Sequence, residues 1–392
     1  HDQNDSLKLF SLMLNTQRPK TPIQVAQIVF SLEPGGMENG VVNIANNLAK
    51  SEFKTHVVCL EHEGQFANRL SELVTCTALA RLPGWDWGAC RRLNRLLLAR
   101  RPDILHTHNL GPLIYAVSAR AMSPSLWTIP IVHGEHGVLQ GDSLSPKRIQ
   151  QRKALYRLCR HIHTVSESMR THLASLQLPS SNIVSILNGV DTNRFCPADD
   201  KAVARCAIGL PASAFVFGCV GRHIPTKRHD LLLDAFRILG QRYPDAHLLM
   251  LGDGGSEKAS LLKQIETSGL GSRIHWRGHV PDPVPFYQAM DLLVMPSSHE
   301  GLANALLEAM ATAVPALSHD ACGANEVITP GVTGFLETIN SDSELANHLM
   351  ALLSDKVRLI SVGRAAREAA LERFSLDKMV ENYAGLYRAC LS

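Results

Sequence analysis

The run Phe215-Val216-Phe217-Gly218-Cys219-Val220-Gly221-Arg222 decides the fold. It leads through Thr226-Lys227-Arg228-His229 into Leu231-Leu232-Leu233-Asp234-Ala235-Phe236. Six apolar or small residues in succession suit a strand buried on both faces. Glycine ends that strand, and apolar residues at helical spacing begin again near His229. Strand, glycine turn and helix are the opening of a βαβ unit.

The same alternation extends in both directions. Upstream, strands are expected at Gln24–Phe30, Thr55–Leu60, Ile104–Thr107, Ile129–Val132 and Ile183–Leu187, with helices at Met37–Lys50, Trp87–Arg101 and Lys147–Cys159. A turn-rich stretch, Asn188 to Asp200, interrupts the pattern. It resumes with strands at His247–Leu251, Ile274–Trp276 and Leu292–Met295, and helices near Glu257–Ser268, Asn304–Ala313 and Ser343–Leu353. This predicts an α/β protein of two consecutive doubly wound units, with ligands beyond the carboxyl ends of the strands, in a cleft between the units. Phe374-Ser375 reads as a break between two terminal helices.

Composition narrows the class. The chain has 392 residues, 45% hydrophobic and 19% charged, which excludes wholesale disorder. Mean hydropathy is −0.01, and no apolar run approaches the ~18 residues of a spanning helix. A net charge of +3 is too small to imply a nucleic-acid partner. That total hides an asymmetry: residues 1–190 hold 20 basic and 13 acidic residues (+7), and residues 191–392 hold 19 and 23 (−4). Arg91, Arg92, Arg95, Arg100 and Arg101 crowd one helical segment; Lys147, Arg148, Arg152, Lys153, Arg157 and Arg160 crowd another. They read either as solvated helix faces or as contacts to an anionic membrane surface.

Nine scattered cysteines without a CxxC pair form no disulfide framework and favour a reduced compartment, the cytoplasm. The chain opens on His1, so its true start is expected upstream, and residues 1–22 read as a tail without a signal-peptide core.

Three motifs and a histidine group carry chemistry. Gly35-Gly36-Met37-Glu38 follows a strand and opens a helix, where backbone amides favour an anion. Arg222 and Lys227 follow the strand quoted above and suit a diphosphate. In Glu300-Gly301-Leu302-Ala303-Asn304-Ala305-Leu306-Leu307-Glu308, a helix start again presents amides, and Glu308 stands on an apolar stretch where it needs hydrogen bonds. The vicinal hydroxyls of a ribose would supply them; a purely internal pairing is the alternative. His106 and His108 share one face of a strand, and His133 and His136 bracket Gly134-Glu135. They read as hydrogen-bonding residues of the cleft rather than a metal site, because no further ligand cluster completes one. GxSxG, HExxH, P-loop and DxD motifs are absent, so phosphate charge falls to cations and helix amides.

In order and spacing, these motifs resemble the GT-B fold retaining glycosyltransferases of family 4 across nearly the whole chain. Asn188-Gly189-Val190-Asp191, Leu251-Gly252-Asp253-Gly254, Asp291 with Pro296-Ser297, and Asn325-Glu326-Val327-Ile328 before Gly331 and Gly334 complete the set. Gly254-Gly255 departs from that pattern, where proline or serine is commoner in second place.

The resemblance implies two Rossmann-like doubly wound domains facing across a cleft. Residues 23–190 would form the acceptor-side domain, residues 191–372 the donor domain, and residues 373–392 a helix crossing back to the first domain. By the same resemblance Arg222 and Lys227 would bind the diphosphate, Glu308 the ribose and Glu300 the sugar hydroxyls. Gly301, Leu302, Ala303 and Asn304 would reach phosphates and sugar, and Gly278, His279 and Val280 would lie along the base. Gly35 and Gly36 join the donor side. His136 is the choice for the histidine beside the sugar, with Glu38, His108 and His133 on the acceptor or sugar side.

The stretch His133-Gly134-Glu135-His136-Gly137 is similar to sugar transferases of bacterial exopolysaccharide and exosortase systems. The implied activity is metal-independent, cofactor-free retaining transfer of a hexose from a nucleotide sugar, UDP before GDP, to a saccharide or lipid-linked acceptor. The implied place is the cytoplasm or the inner membrane face. A nucleotide-sugar 2-epimerase and a non-catalytic nucleotide-sugar-binding partner are the alternatives.

Overall fold

The computed structural model describes residues 22–179, 182–299, 302–320 and 323–392. The chain divides into two units. One runs to Val165, resumes over Arg170–Ile186 and takes in Asp377–Ser392; the other comprises Ser166–Met169 and Leu187–Leu376.

The first unit is built on β1 (Ile23–Val29), β2 (Phe53–Cys59), β3 (Thr75–Ala78), β4 (Ile104–His108), β5 (Ile131–Glu135), β6 (His161–Thr164) and β7 (Ile183–Ser185). They form one parallel sheet in the order β3-β2-β1-β4-β5-β6-β7. The chain starts in the middle, builds outward through β2 and β3, then returns to the other side at β4. That reversal is a topological switch point, and it lies between the glycines after β1 and the turn after β4. β5 starts at Ile131, two residues later than expected, because Pro130 has no N–H to give the ladder. It runs on through Glu135, so both His133 and Glu135 belong to the sheet.

The second unit repeats the plan with β8 (Phe215–Val220), β9 (Ala246–Leu251), β10 (Ile274–Gly278), β11 (Leu292–Met295), β12 (Ala316–His319) and β13 (Phe335–Glu337), again all parallel, in the order β10-β9-β8-β11-β12-β13. Its switch point lies between β8 and β11. Phe217, Leu248, Leu292 and Leu317 meet Phe236 and Leu349 in its core.

Helices start where side chains satisfy their free amides. Asp86 accepts from Ala89 N at 3.0 Å ahead of the helix Trp87–Arg100, and Ser341 accepts from Glu344 N at 3.2 Å ahead of Asp342–Ser354. Lys356–Arg373 and Leu376–Leu391 part at Phe374-Ser375. There Val190 N donates to Phe374 O and Leu376 N to Val190 O.

Asp291, at the entry to β11, accepts from Arg205 Nη2 on both oxygens at 2.7 Å and from Val216 N at 2.8 Å. It therefore couples the start of β8 to the start of β11. Arg205 also donates to Ala289 O and Ala212 O and is only 9% exposed. Arg205→Met is expected to destabilise the protein by about 3 kcal/mol, the low end for one partner lost from a buried pair. Urea unfolding measures this; a loss below about 1 kcal/mol would remove the pair from any structural role.

Candidate functional site

In the second unit, the loops after β8, β9 and β10 are stitched to one another beyond the strand ends. Gly221 N donates to Leu251 O at 3.0 Å, Gly252 N to Gly278 O at 2.7 Å and His223 N to Gly254 O at 2.9 Å. Gly252 has φ 122, and a Cβ there would lie 2.1 Å from Gly221 O. Only glycine lets the two backbones meet this closely.

Arg222 follows directly and is exposed. A short turn, Pro225–Lys227, then folds the Lys227 stem against Gly221, 3.3 Å from where its Cβ would be. The two cations thus leave one glycine turn at the carboxyl end of the central strand. His223 is buried behind them and stacks on Trp276 at 4.0 Å. Gly278 ends β10 with φ 65, and His279 beyond it is exposed.

Glu300 and Gly301 lie outside the described residues. The helix near them begins at Asn304, with Ala303 as its cap. Leu302 is buried, and its carbonyl accepts from Asn188 Nδ2 at 3.2 Å. Glu308 is half-buried one turn into the helix, and its Oε2 accepts from the Tyr287 hydroxyl at 2.7 Å. Tyr287 is wholly buried, and burial, then the Glu308 charge, pushes its hydroxyl well above the ordinary value. Tyr287 therefore stays a donor and holds the carboxylate in place. The internal partner foreseen for Glu308 exists.

In the first unit, Gly35 caps the helix Gly36–Leu48 in an extended conformation. The Glu38 carboxylate folds back over it, so a Cβ at Gly35 would meet Glu38 Oε2 at 2.2 Å. On the sheet, the parallel register aligns His108 with Gly134, and Gly134 with His163. The missing side chain at Gly134 leaves the gap that imidazoles fill: a Cβ there would lie 2.5 Å from His163 Nε2 and 2.8 Å from His136 Nε2.

His136 is half-buried. Its Nε2 lies 2.9 Å from His108 Nδ1, and its backbone N–H donates to Asn109 Oδ1 at 3.2 Å. His108 and His133 are fully buried. They stand behind the surface rather than on it: His108 Nε2 reaches Gln27 Oε1 at 3.2 Å, and His133 Nδ1 reaches Thr107 Oγ1 at 2.9 Å. Burial lowers His136 to about 4 and holds His106, His108 and His163 well below the ordinary value.

Glu135 braces this strand end. It is 2% exposed and accepts from Arg152 Nε and from the Tyr156 hydroxyl, both at 2.7 Å. Burial pushes its carboxyl up, but His133 and Arg152 outweigh that and hold it at about 2. Arg152 is itself buried, so it leaves the basic surface to which the helical spacing had assigned it.

Among the participants that sequence reading missed are Tyr156, Tyr287 and His163. The tyrosines sit in helices as ordinary apolar-face residues would. His163 lies in a four-residue strand, His-Ile-His-Thr, with too little apolar character to be recognised.

Two consecutive doubly wound units of this topology define the GT-B class of glycosyltransferase fold. The same fold is seen in Anabaena Alr3699/HepE in complex with UDP and glucose, with a TM-score of 0.83 and 22% identity, covering 94% of this chain and 100% of that one. Residues 34–194 match the family model Glycosyltransferase Family 4, and residues 200–369 match Glycosyl transferases group 1. A lipopolysaccharide core biosynthesis mannosyltransferase, LpsB, of Rhizobium meliloti is 30% identical over 241 residues, 60% of this chain and 68% of that protein. The UDP-Gal:alpha-D-GlcNAc-diphosphoundecaprenol alpha-1,3-galactosyltransferase of Escherichia coli is 26% identical over 370 residues, 87% and 90% of the two chains. The chain belongs to the family 4 glycosyltransferases.

The buried charges set an acid sensitivity. Imidazoles lowered from 6.5 resist protonation in the folded state, so the unfolded chain binds more protons below that value. Glu135, lowered from 4.5 to about 2, contributes stability that is present above 4.5 and lost as pH falls toward 2. Stability is therefore expected to drop first between pH 6.5 and 4, and further toward pH 2. Urea midpoints at stepped pH test this; a flat profile from pH 7 to 4 would contradict the histidine assignment. Arg152→Met, which strands Glu135, is expected to cost about 3–5 kcal/mol at neutral pH by the same measurement.

Proposed function

We propose that this glycosyltransferase moves a hexose from a UDP-sugar to an acceptor hydroxyl with retention at the anomeric carbon, in synthesis of a bacterial surface or extracellular glycan. The observation that carries the donor assignment is the glycine turn after β8. It brings Arg222 and Lys227 out together at a switch point, beside loops whose glycines permit close backbone approach. The Tyr287 hydroxyl fixes the orientation of the Glu308 carboxylate, and an oriented carboxylate suits the vicinal hydroxyls of a ribose, which supports the ribose role. The Anabaena structure with UDP and the Escherichia coli enzyme named for UDP-Gal support the choice of base.

The sugar–phosphate bond loosens first. Arg222 and Lys227 stabilise the charge growing on the leaving diphosphate. The acceptor hydroxyl attacks from the same face, and its proton passes to a phosphate oxygen. Cations in place of a DxD carboxylate cage make this a transfer without a metal at the phosphates. His136, oriented by His108 and Asn109, and Glu300 serve the sugar hydroxyls.

No helix among the described residues is long and apolar enough to cross a membrane. Arg91, Arg95, Arg100, Arg101, Lys147, Arg157 and Arg160 are exposed, with Leu158 exposed among them. They support a reading in which the first unit meets anionic headgroups to reach a lipid-linked acceptor.

Arg222→Ala and Lys227→Ala are each expected to slow turnover by about 100-fold or more, the scale for one lost charge-stabilising donor. Near-normal rates in both would sink the diphosphate assignment. In thermal-shift screening, a UDP-sugar at 100 times its dissociation constant adds about 2.7 kcal/mol. A response to GDP-sugars alone would overturn the choice of UDP.

A further inference from the structure

Behind His136, three further histidines form a buried cluster. His106, His108 and His163 are all fully buried, and one ring nitrogen from each lies within 4.8 Å of the others. His106 Nε2 is 2.8 Å from His163 Nε2. The opposite nitrogen of each ring faces an oxygen: His106 Nδ1 the Tyr387 hydroxyl at 2.7 Å, His108 Nε2 the Gln27 amide oxygen at 3.2 Å, and His163 Nδ1 the Tyr383 hydroxyl at 3.4 Å. We infer that His106, His108 and His163 form a binding site for a first-row divalent ion, Zn²⁺ foremost, buried in the first unit.

Three features carry this. An imidazole ligates through a lone pair on one nitrogen while its other N–H donates outward to a carbonyl or hydroxyl oxygen, and all three rings have such an oxygen behind them. Imidazole is the ligand type that suits Zn²⁺ and its neighbours. The glycine at 134 lets rings from β4, β6 and the turn after β5 converge, where any side chain would block them.

With Zn–N bonds near 2.0–2.1 Å, tetrahedral ligand nitrogens stand about 3.3 Å apart. His106 and His163 therefore part by about half an ångström, exchanging their mutual hydrogen bond for two metal bonds, and His108 Nδ1 gives up its contact with His136 Nε2 to become the third ligand. Three histidines leave a fourth position, and half-buried His136, 2.9 Å from His108, borders it. Because Tyr383 and Tyr387 lie on the terminal helix, a bound ion would fasten that helix to β4 and β6.

The test uses the full chain without a polyhistidine tag, stripped with chelator and then titrated with Co²⁺ by visible absorption and with Zn²⁺ by calorimetry. One equivalent is expected, with the absorption of nitrogen-coordinated Co²⁺ and a raised melting temperature. His163→Asn should abolish it. Tyr387→Phe keeps every ligand but removes one outer acceptor, and should weaken affinity about 10–100-fold. Should His163→Asn not fold, Tyr387→Phe decides. Absence of a stoichiometric ion, or an affinity that Tyr387→Phe leaves unchanged, overturns the site.

Discussion

Polar groups buried at the carboxyl ends of parallel strands must be paired, and the first unit depends on meeting that demand. β4, β5 and β6 carry His106, His108, His133, Glu135 and His163 where apolar residues would ordinarily lie. An unpaired imidazole or carboxylate there would oppose folding. Each is placed so that another group answers it: Gln27 from β1, Thr107 from β4, Arg152 and Tyr156 from one helix, Tyr383 and Tyr387 from the last. Together they make a stiff platform of packed rings under His136. The sugar-side role proposed for His136 would need such stiffness, because small displacements of a group beside a substrate are costly in rate.

The second unit meets a different demand with backbone. Its strand ends have few buried polar side chains and instead bring main chain against main chain. Gly252 sits on Gly221, and the loops after β8, β9 and β10 exchange N–H···O bonds beyond the sheet. Bare backbone leaves room there for the phosphate and base of the proposed donor, and Arg222 and Lys227 follow it in the chain. An acidic half can serve the proposed diphosphate role, since the field of two side chains a few ångströms from a ligand outweighs screened charges farther away. Asp291 and Arg205 hold β8 against β11 from below, so the switch point above them keeps its width.

Most long elements were legible because hydrophobic periodicity is local. Phe215–Val220 and Leu292–Met295 appear with the limits their apolar runs suggest. Four strands were not read. Thr75–Ala78 and His161–Thr164 are short and at least half polar, and Ala316–His319 and Phe335–Glu337 have four and three residues. They are strands because a neighbour supplies the ladder, which no four-residue window encodes.

By itself, the sequence determined the α/β class, the doubling of the unit and the chemistry available at each strand end, because periodicity, glycine turns and residue type are properties of neighbours in the chain. Tertiary structure decided which of those residues act together. Arg152 looked like one of a row of surface cations and is instead buried on Glu135. Glu308 acquired a hydroxyl donor from Tyr287, 21 residues away. His163 and Tyr387 joined His106 across separations of 57 and 281 residues. Packing alone brings such groups within hydrogen-bond reach, since the interaction falls off over an ångström and the chain carries no local sign of what will lie opposite.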